Sequence, residues 1–259
     1  MSNAYFQFRQ FTVRHDLCAM KVGTDGVLLG AWAPFRQPST ILDVGTGSGL
    51  IALMLAQRFP KASLTAIDID ASAVAQATAN VAASPFASRI AVVHTSLQHF
   101  ASQPASPSHR CEAALTSSPS QSDSHRCEAA PFSAIVCNPP FFENSLLAPD
   151  PSRRTARHAT ELTLDSLAST SASLLAEGGQ LAIVVPTDAF ERLRHLCFAS
   201  GLALEAACHV QTTPRKAPKR TLALFCKGQT EAPSISTLLL TVDGQRSPEY
   251  AALTADFYL

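Results

Sequence analysis

Two short stretches of the chain combine residue types and spacings from which chemistry can be built. The first is Asp-Val-Gly-Thr-Gly-Ser-Gly at residues 43–49. It follows the apolar run Ile41–Val44 and precedes Ile51, Met54 and Leu55, which share one helical face. Glycines at 45, 47 and 49 let the backbone turn sharply and approach a ligand closely. A loop that seats a pyrophosphate needs G-x-G-x-x-G, but here Leu50 holds the final position and glycine comes one residue early. Asp68 ends the next apolar run, where a carboxylate can accept hydrogen bonds from both hydroxyls of a ribose. The second stretch, Asn138-Pro139-Pro140-Phe141, ends the run Phe132–Cys137. Proline has no N–H, so such a turn presents acceptors without a competing donor. Taken singly, these are a glycine turn with a capping aspartate and a proline turn. Ligands of doubly wound sheets bind outside the carboxyl ends of the strands, so the two stretches are expected to open into one crevice.

The G-x-G-x-G loop behind an acidic residue resembles the cofactor loop of S-adenosylmethionine-dependent methyltransferases. That ligand carries no phosphate, so Asp43 is tolerable beside the loop and can help hold its amino group. The resemblance implies S-adenosyl-L-methionine as cofactor, held by Asp43, Gly45, Thr46, Gly47, Gly49, Asp68, Ile69 and Asn138. N-P-P-[YF] resembles the catalytic motif of enzymes that methylate a planar amide or amino nitrogen: adenine N6, guanine N2 or glutamine N5. Such a nitrogen is a poor nucleophile because its lone pair is delocalised. The Asn138 side-chain oxygen and the Pro139 carbonyl can accept its two N–H bonds and aim the lone pair at the methyl group. Phe141 would stack on the base, a contact worth about 1–3 kcal/mol. Phe142 is expected in the core.

A narrower resemblance covers nearly the whole chain. FQFRQFTVRHDLCAMKVGTDGVLLGAWA, together with NPPFFENSLLAPDPSRRTARHATELT, is similar to the bacterial tRNA1(Val) (adenine(37)-N6)-methyltransferases, which act on N6 of the adenine beside the anticodon. The resemblance implies that Lys21 to Asp25 closes over cofactor or target, with Lys21 a cofactor contact; a glycine turn opening a helix at Thr24–Asp25 is the alternative. Relatives place an acidic residue after the third strand to hold the cofactor's adenine. This chain has Thr95-Ser96-Leu97 there, leaving Ser96 as a weaker candidate. Two basic clusters, Arg153, Arg154, Arg157 and His158, then Arg215, Lys216, Lys219 and Arg220, fit local contacts to tRNA phosphates, though charge runs often mark only a solvated face. Glutamine N5 methylation of a release factor, guanine N2 methylation of ribosomal RNA and a non-catalytic RNA-binding role are the competing readings. The first is disfavoured because its sheet normally follows a sizeable helical domain, and here about 40 residues precede the first strand.

The elements that must position these residues follow a strand–helix rhythm from about Thr40. Strands are expected at 41–44, 63–67, 90–94, 132–137, 180–185, 202–210 and 221–227, with 235–242 a possible addition. Asp70 is placed as a helix N-cap ahead of Val74, Ala77 and Val81. A helix is expected over 165–176, closed by Gly178 and Gly179, and another over 188–200. The alternation implies a doubly wound α/β sheet. The resemblance makes it Rossmann-like: seven strands, mostly parallel, with an antiparallel last one. The whole of 1–259 reads as one methyltransferase domain, with 1–40 as a cap segment and 101–131 as a low-complexity insertion in which SHRCEAA occurs twice. Its two H-x-C pairs, His109/Cys111 and His125/Cys127, are too tightly spaced for a zinc site, so no metal is expected.

Composition narrows the class. With 20 basic and 20 acidic residues in 259, the chain is no polycationic nucleic-acid coat, and 46% hydrophobic residues exclude wholesale disorder. No apolar run reaches the roughly 18 residues a membrane span needs, and the N-terminus lacks secretory features. Seven cysteines without close CxxC pairs read as reduced thiols of a cytoplasmic protein. Oligomeric state is not legible.

Overall fold

The computed structural model describes residues 4–18, 21–103, 132–140 and 162–259. The chain opens with a short hairpin, β1 (Tyr5–Gln7) and β2 (Thr12–Arg14), and a helix, α1 (Thr24–Trp32). An alternation follows: β3 (Thr40–Val44), α2 (Leu50–Arg58), β4 (Ser63–Asp68), α3 (Ala71–Ala82), β5 (Ile90–His94) and α4 (Leu97–Ser102). Then come β6 (Phe132–Cys137), α5 (Leu164–Leu174), β7 (Leu175–Pro186), α6 (Phe190–Ala199), β8 (Leu202–Gln211) and β9 (Arg220–Lys227). The chain closes with β10 (Ser234–Leu239), a small hairpin of β11 (Thr241–Val242) and β12 (Gln245–Arg246), and α7 (Pro248–Thr254).

The central strands are runs of Val, Ile, Leu and Ala that are apolar on both faces, so they require cover on both sides. They receive it. Ile41, Ala134, Val136, Ala182 and Val184 pack under α1 and α2, while Leu42, Val44, Ile135, Ile183 and Val185 pack under α5 and α6. The sheet order is β10-β8-β9-β7-β6-β3-β4-β5. β3, β4, β5, β6 and β7 run parallel, and β9 runs antiparallel to both β7 and β8. The mostly parallel α/β sheet with a late antiparallel strand is therefore as expected. One strand is added: β10 pairs parallel with β8 over Ser234–Leu239, making eight strands.

Three boundaries differ from the sequence reading. The helix expected to reach Ala176 stops at Leu174, and Leu175 already pairs with Phe132. Gly178, at φ +74°, lies in a bulge of β7, where four residues loop out between the pairs Phe132–Leu175 and Ala134–Gln180. The helix expected from Asp188 begins at Phe190, after a single 3-10 turn. Residues 101 and 102 complete α4, so irregular sequence begins later than the serine content implied. The repeat with its His and Cys pairs lies outside the described residues, as do Phe141, Phe142 and the 153–158 basic cluster.

Helix α2 is buried from Leu50 to Ala56 because α1 lies across its outer face. Close approach there depends on glycine. A Cβ added at Gly30 would stand 2.8 Å from the Met54 sulfur and 3.1 Å from its Cβ. Gly30→Val should therefore push α1 off α2 and lower stability by about 1–3 kcal/mol, measured as a shift of the urea midpoint at constant m-value.

Candidate active site

Strand register brings the two chemical stretches together. Val44 pairs with Cys137 in the parallel β3–β6 ladder, so Gly45 and Asn138 leave the sheet side by side. Val44 also pairs with Ile67, which places Asp68 at the same edge on the next strand. Asn138 is half-buried, Pro139 buried and Pro140 exposed. Helix α1 forms the adjoining wall: a Cβ added at Gly26 would lie 3.9 Å from the Asn138 amide nitrogen.

The glycine loop is held from within. Gly45 and Thr46 donate their amides to the Ile67 carbonyl at 2.9 and 3.0 Å, and the Gly49 amide donates to the Thr46 carbonyl at 3.0 Å. The Gly47 amide donates to Asp68 Oδ2 at 2.8 Å. Gly45 and Gly47 take φ of +69° and +56°, and a Cβ on either would meet nothing within 4 Å, so the loop borders open space. Gly49, at φ +81°, instead lies against Ala77 of α3. A phosphate-binding loop aims its amides at the ligand. These four amides are committed to the protein.

Asp43 is fully buried beneath the loop. Its Oδ2 accepts from the Thr46 hydroxyl at 2.6 Å and from the Ala52 amide at 3.2 Å. Its Oδ1 is buried without a hydrogen-bond partner among the described residues. Desolvation pushes the Asp43 carboxyl up to about 7, against the two donated hydrogen bonds, with nearby Asp68 adding to the rise. Asp68 Oδ1 accepts the Asp70 amide at 3.0 Å, which leaves each of its oxygens a further acceptor position. Ile69 beside it is 56% exposed. Ser96 is drawn into structure, its hydroxyl accepting the His99 amide as N-cap of α4. Asp70 caps α3 through the Ser72 amide, as the sequence predicts.

Arg215, Lys216 and Lys219 lie on the β8–β9 connection, which leaves the sheet at the carboxyl end of β8 beyond Gln211. Arg220 is engaged elsewhere: its Nε donates to Asp25 Oδ2 at 2.7 Å. Sequence reading missed Gln76 and Asn80. Both are buried on α3 and tie the N-terminal segment to the core, Gln76 through the Leu17 amide and Asn80 through Arg14 and the Ser48 carbonyl. Their only signal was position: at 76 and 80 they flank the apolar residues 77 and 81. Among the described residues no cluster of three potential metal ligands occurs, and no helix is long and apolar enough to cross a membrane.

A family model described as a methyltransferase domain matches residues 41–118, the stretch that carries the glycine loop and Asp68. Two solved structures share the fold. A protein described as a predicted O-methyltransferase from Agrobacterium tumefaciens has TM-score 0.60 and 19% identity, covering 90% of this chain and 96% of its own. A ribosomal protein L11 methylase from Lactobacillus delbrueckii has TM-score 0.51 and 18% identity, covering 84% of each. Fold and strand-end loops thus define a class I, Rossmann-like methyltransferase. The tRNA1(Val) (adenine(37)-N6)-methyltransferase of Parabacteroides distasonis is 44% identical over 260 residues, covering 100% of this chain and 99% of its own. That of Tolumonas auensis is 37% identical over 261 residues, covering 100% and 98%. The chain belongs to the tRNA1(Val) (adenine(37)-N6)-methyltransferase family.

The buried carboxyl sets a pH dependence. Because the folded value of Asp43 lies near 7 and the unfolded value near 3.8, its protonated form favours the folded state. That contribution is complete below the unfolded value and is lost as pH rises through about 7. In ligand-free protein, stability should fall between about pH 4 and 7, and Asp43→Asn should flatten that fall. Denaturant melts across the range read the slope, which is independent of any constant offset from the changed Thr46 contact.

Proposed function

We propose that this protein transfers a methyl group from S-adenosyl-L-methionine to N6 of adenine 37 in tRNA1(Val). The observation that carries the reading is the parallel register that sets Asn138-Pro139 beside the glycine loop, with Asp68 at the same edge. Family membership supports the same substrate, since the full-length relatives carry that name.

The residues present suit this cofactor. Four inward-turned loop amides, open space over Gly45 and Gly47, and an orphaned carboxylate oxygen fit a ligand that is cationic and lacks phosphate. Asp68 would accept the ribose hydroxyls on its spare acceptor positions, and exposed Ile69 would lie against the adenine. Asp43 would balance the charge of the amino group from beneath the loop, with Thr46 holding the carboxylate in place. Lys21 and Ser96 are the outer candidates at this rim. When bound, the cofactor supplies a methyl group activated on a positive sulfur.

Asn138 and Pro139 do the remaining work. Their oxygens accept the two N–H bonds of the target amine, which fixes the nitrogen and directs its lone pair. Proline contributes no donor to disturb this arrangement. Orientation and electrostatics therefore carry the catalysis, without a protein nucleophile. Phe141 would cover the face of the base. Arg215, Lys216 and Lys219, with Arg153, Arg154, Arg157 and His158, would meet phosphates of the anticodon arm. The target is a loop base, so exposing it takes less than flipping one from a duplex. The scattered cysteines of the sequence, read as reduced thiols, go with a cytoplasmic setting in this reading. One domain spanning 1–259 completes the reading.

Transfer of labelled methyl to fractionated tRNA, followed by digestion to nucleosides, tests the proposal. N6-methyladenosine in the valine fraction is the expected product; label in release factor or ribosomal RNA in parallel reactions would overturn it. Asn138→Ala should cut turnover on the order of 10²–10³-fold, a far larger loss than the one it causes in cofactor affinity measured by calorimetry. Retained turnover would remove the acceptor role.

A further inference from the structure

The contact between Asp25 and Arg220 joins two parts of the molecule far apart in sequence. Asp25 lies in the first turn of α1, one residue before Gly26, where an added Cβ would lie 3.9 Å from Asn138 Nδ2. A carboxylate at this end of a helix is favoured by the helix dipole. Arg220 starts β9, paired on one side with Pro186 at the end of β7 and on the other with Val210 near the end of β8. Because β6 and β7 run parallel with Cys137 opposite Ile183, Arg220 stands at the same sheet edge as Asn138.

The guanidinium makes a second bond. Its Nη1 donates to the Lys219 carbonyl at 3.1 Å, the last residue of the basic loop. That loop is itself braced: the Lys219 amide donates to the Val210 carbonyl, the Thr187 amide to the Lys219 carbonyl, and Gln211 Nε2 to the Lys216 carbonyl. The pair thus spans from the helix wall beside the Asn138 corner to the backbone that carries Arg215, Lys216 and Lys219. Its side chains are 37% and 32% exposed, enough to weaken it in salt but not enough for either to swing freely into solvent.

We propose that the Asp25–Arg220 pair is a positioning element that couples base capture at Asn138 to backbone capture by the β8–β9 loop. Arg220 acts here through Asp25, and is not itself a phosphate contact. The inference rests on the tRNA reading above, and deepens it.

The test measures methylation kinetics on tRNA1(Val) and tRNA binding against salt, for the full chain and for Asp25→Asn, Arg220→Gln, the double variant and Lys216→Gln. A positioning pair predicts that kcat/KM falls about tenfold in each single variant and no further in the double, since the two residues act as a unit. Cofactor affinity should be unchanged in all of them. The slope of log affinity against log salt should be unaltered by Arg220→Gln and shallower by about one for Lys216→Gln, which removes a charge that meets a phosphate. The inference is overturned if Arg220→Gln lowers the slope, if Asp25→Asn leaves kcat/KM intact, or if the two losses add. It is also overturned if cofactor affinity falls in step with turnover, because the pair would then support the fold as a whole. A wild-type protein that methylates no tRNA would instead remove the functional reading itself.

Discussion

The site depends on one register. β3 and β6 are neighbours in a parallel ladder, and the described residues between them include two further strands and three α-helices. Their alignment is pinned at the amino ends, away from the chemistry. The Ser133 hydroxyl donates to the Thr40 carbonyl at 2.8 Å and accepts the Thr40 amide, while the Ser133 amide donates to the Thr40 hydroxyl. These bonds fix which residues leave the sheet together at the other end. A slip of one residue would turn every side chain of β6 to the opposite face. Val136 would exchange its place under α1 and α2 with Cys137, and Asn138 would no longer face Gly26.

Within that frame the glycine loop resolves a conflict between flexibility and order. Glycine loses the most conformational freedom on folding, so three glycines in seven residues require compensation. It comes from the loop's own amides, which bond to Ile67, Thr46 and Asp68, and from Asp43 below, which gathers Thr46 and the first turn of α2. The loop is thereby preorganised, but its amides are unavailable to an anion. What it leaves for a ligand is acceptor chemistry: the spare positions of Asp68 at the rim and, from beneath the loop, the field of the buried Asp43 carboxyl. A buried carboxyl raised to about 7 would ionise more readily beside a positive charge.

The sequence showed the parts of this site that depend on local chain chemistry. Glycines at 45, 47 and 49, an aspartate at each of two strand ends and the Asn-Pro-Pro turn are legible because left-handed backbone, strand termination and missing donors are written in residue type. The α/β alternation was legible for the same reason. β10 was only a possibility, because a run such as Ser-Ile-Ser-Thr-Leu-Leu is committed to a sheet only by the edge of β8 that it covers. The glycines at 178 and 179 read as a helix stop, yet they serve a bulge, since either use exploits the same positive φ or missing Cβ. Arg220 looked like one of a set of four cations, and nothing in the sequence marks its partner 195 residues away.

The N-terminal segment illustrates how a structure outside the sheet is made part of the site. Its apolar residues Phe8, Phe11 and Val13 enter the core on the α2 side, which gives it adhesion but no fixed direction. Direction comes from polar side chains on α3. The buried Asn80 amide donates to both the Ser48 and Arg14 carbonyls and accepts the Arg14 amide, so one side chain reads the loop and the segment together. Gln76 repeats the device at Leu17. Buried amides are costly unless satisfied, and these are satisfied only when loop, helix and segment occupy a single arrangement. Apolar contact alone would let the segment slide over the small residues of α3. The polar bonds hold it against sliding, at Arg14 and at Leu17, on the side of α3 that also meets the glycine loop.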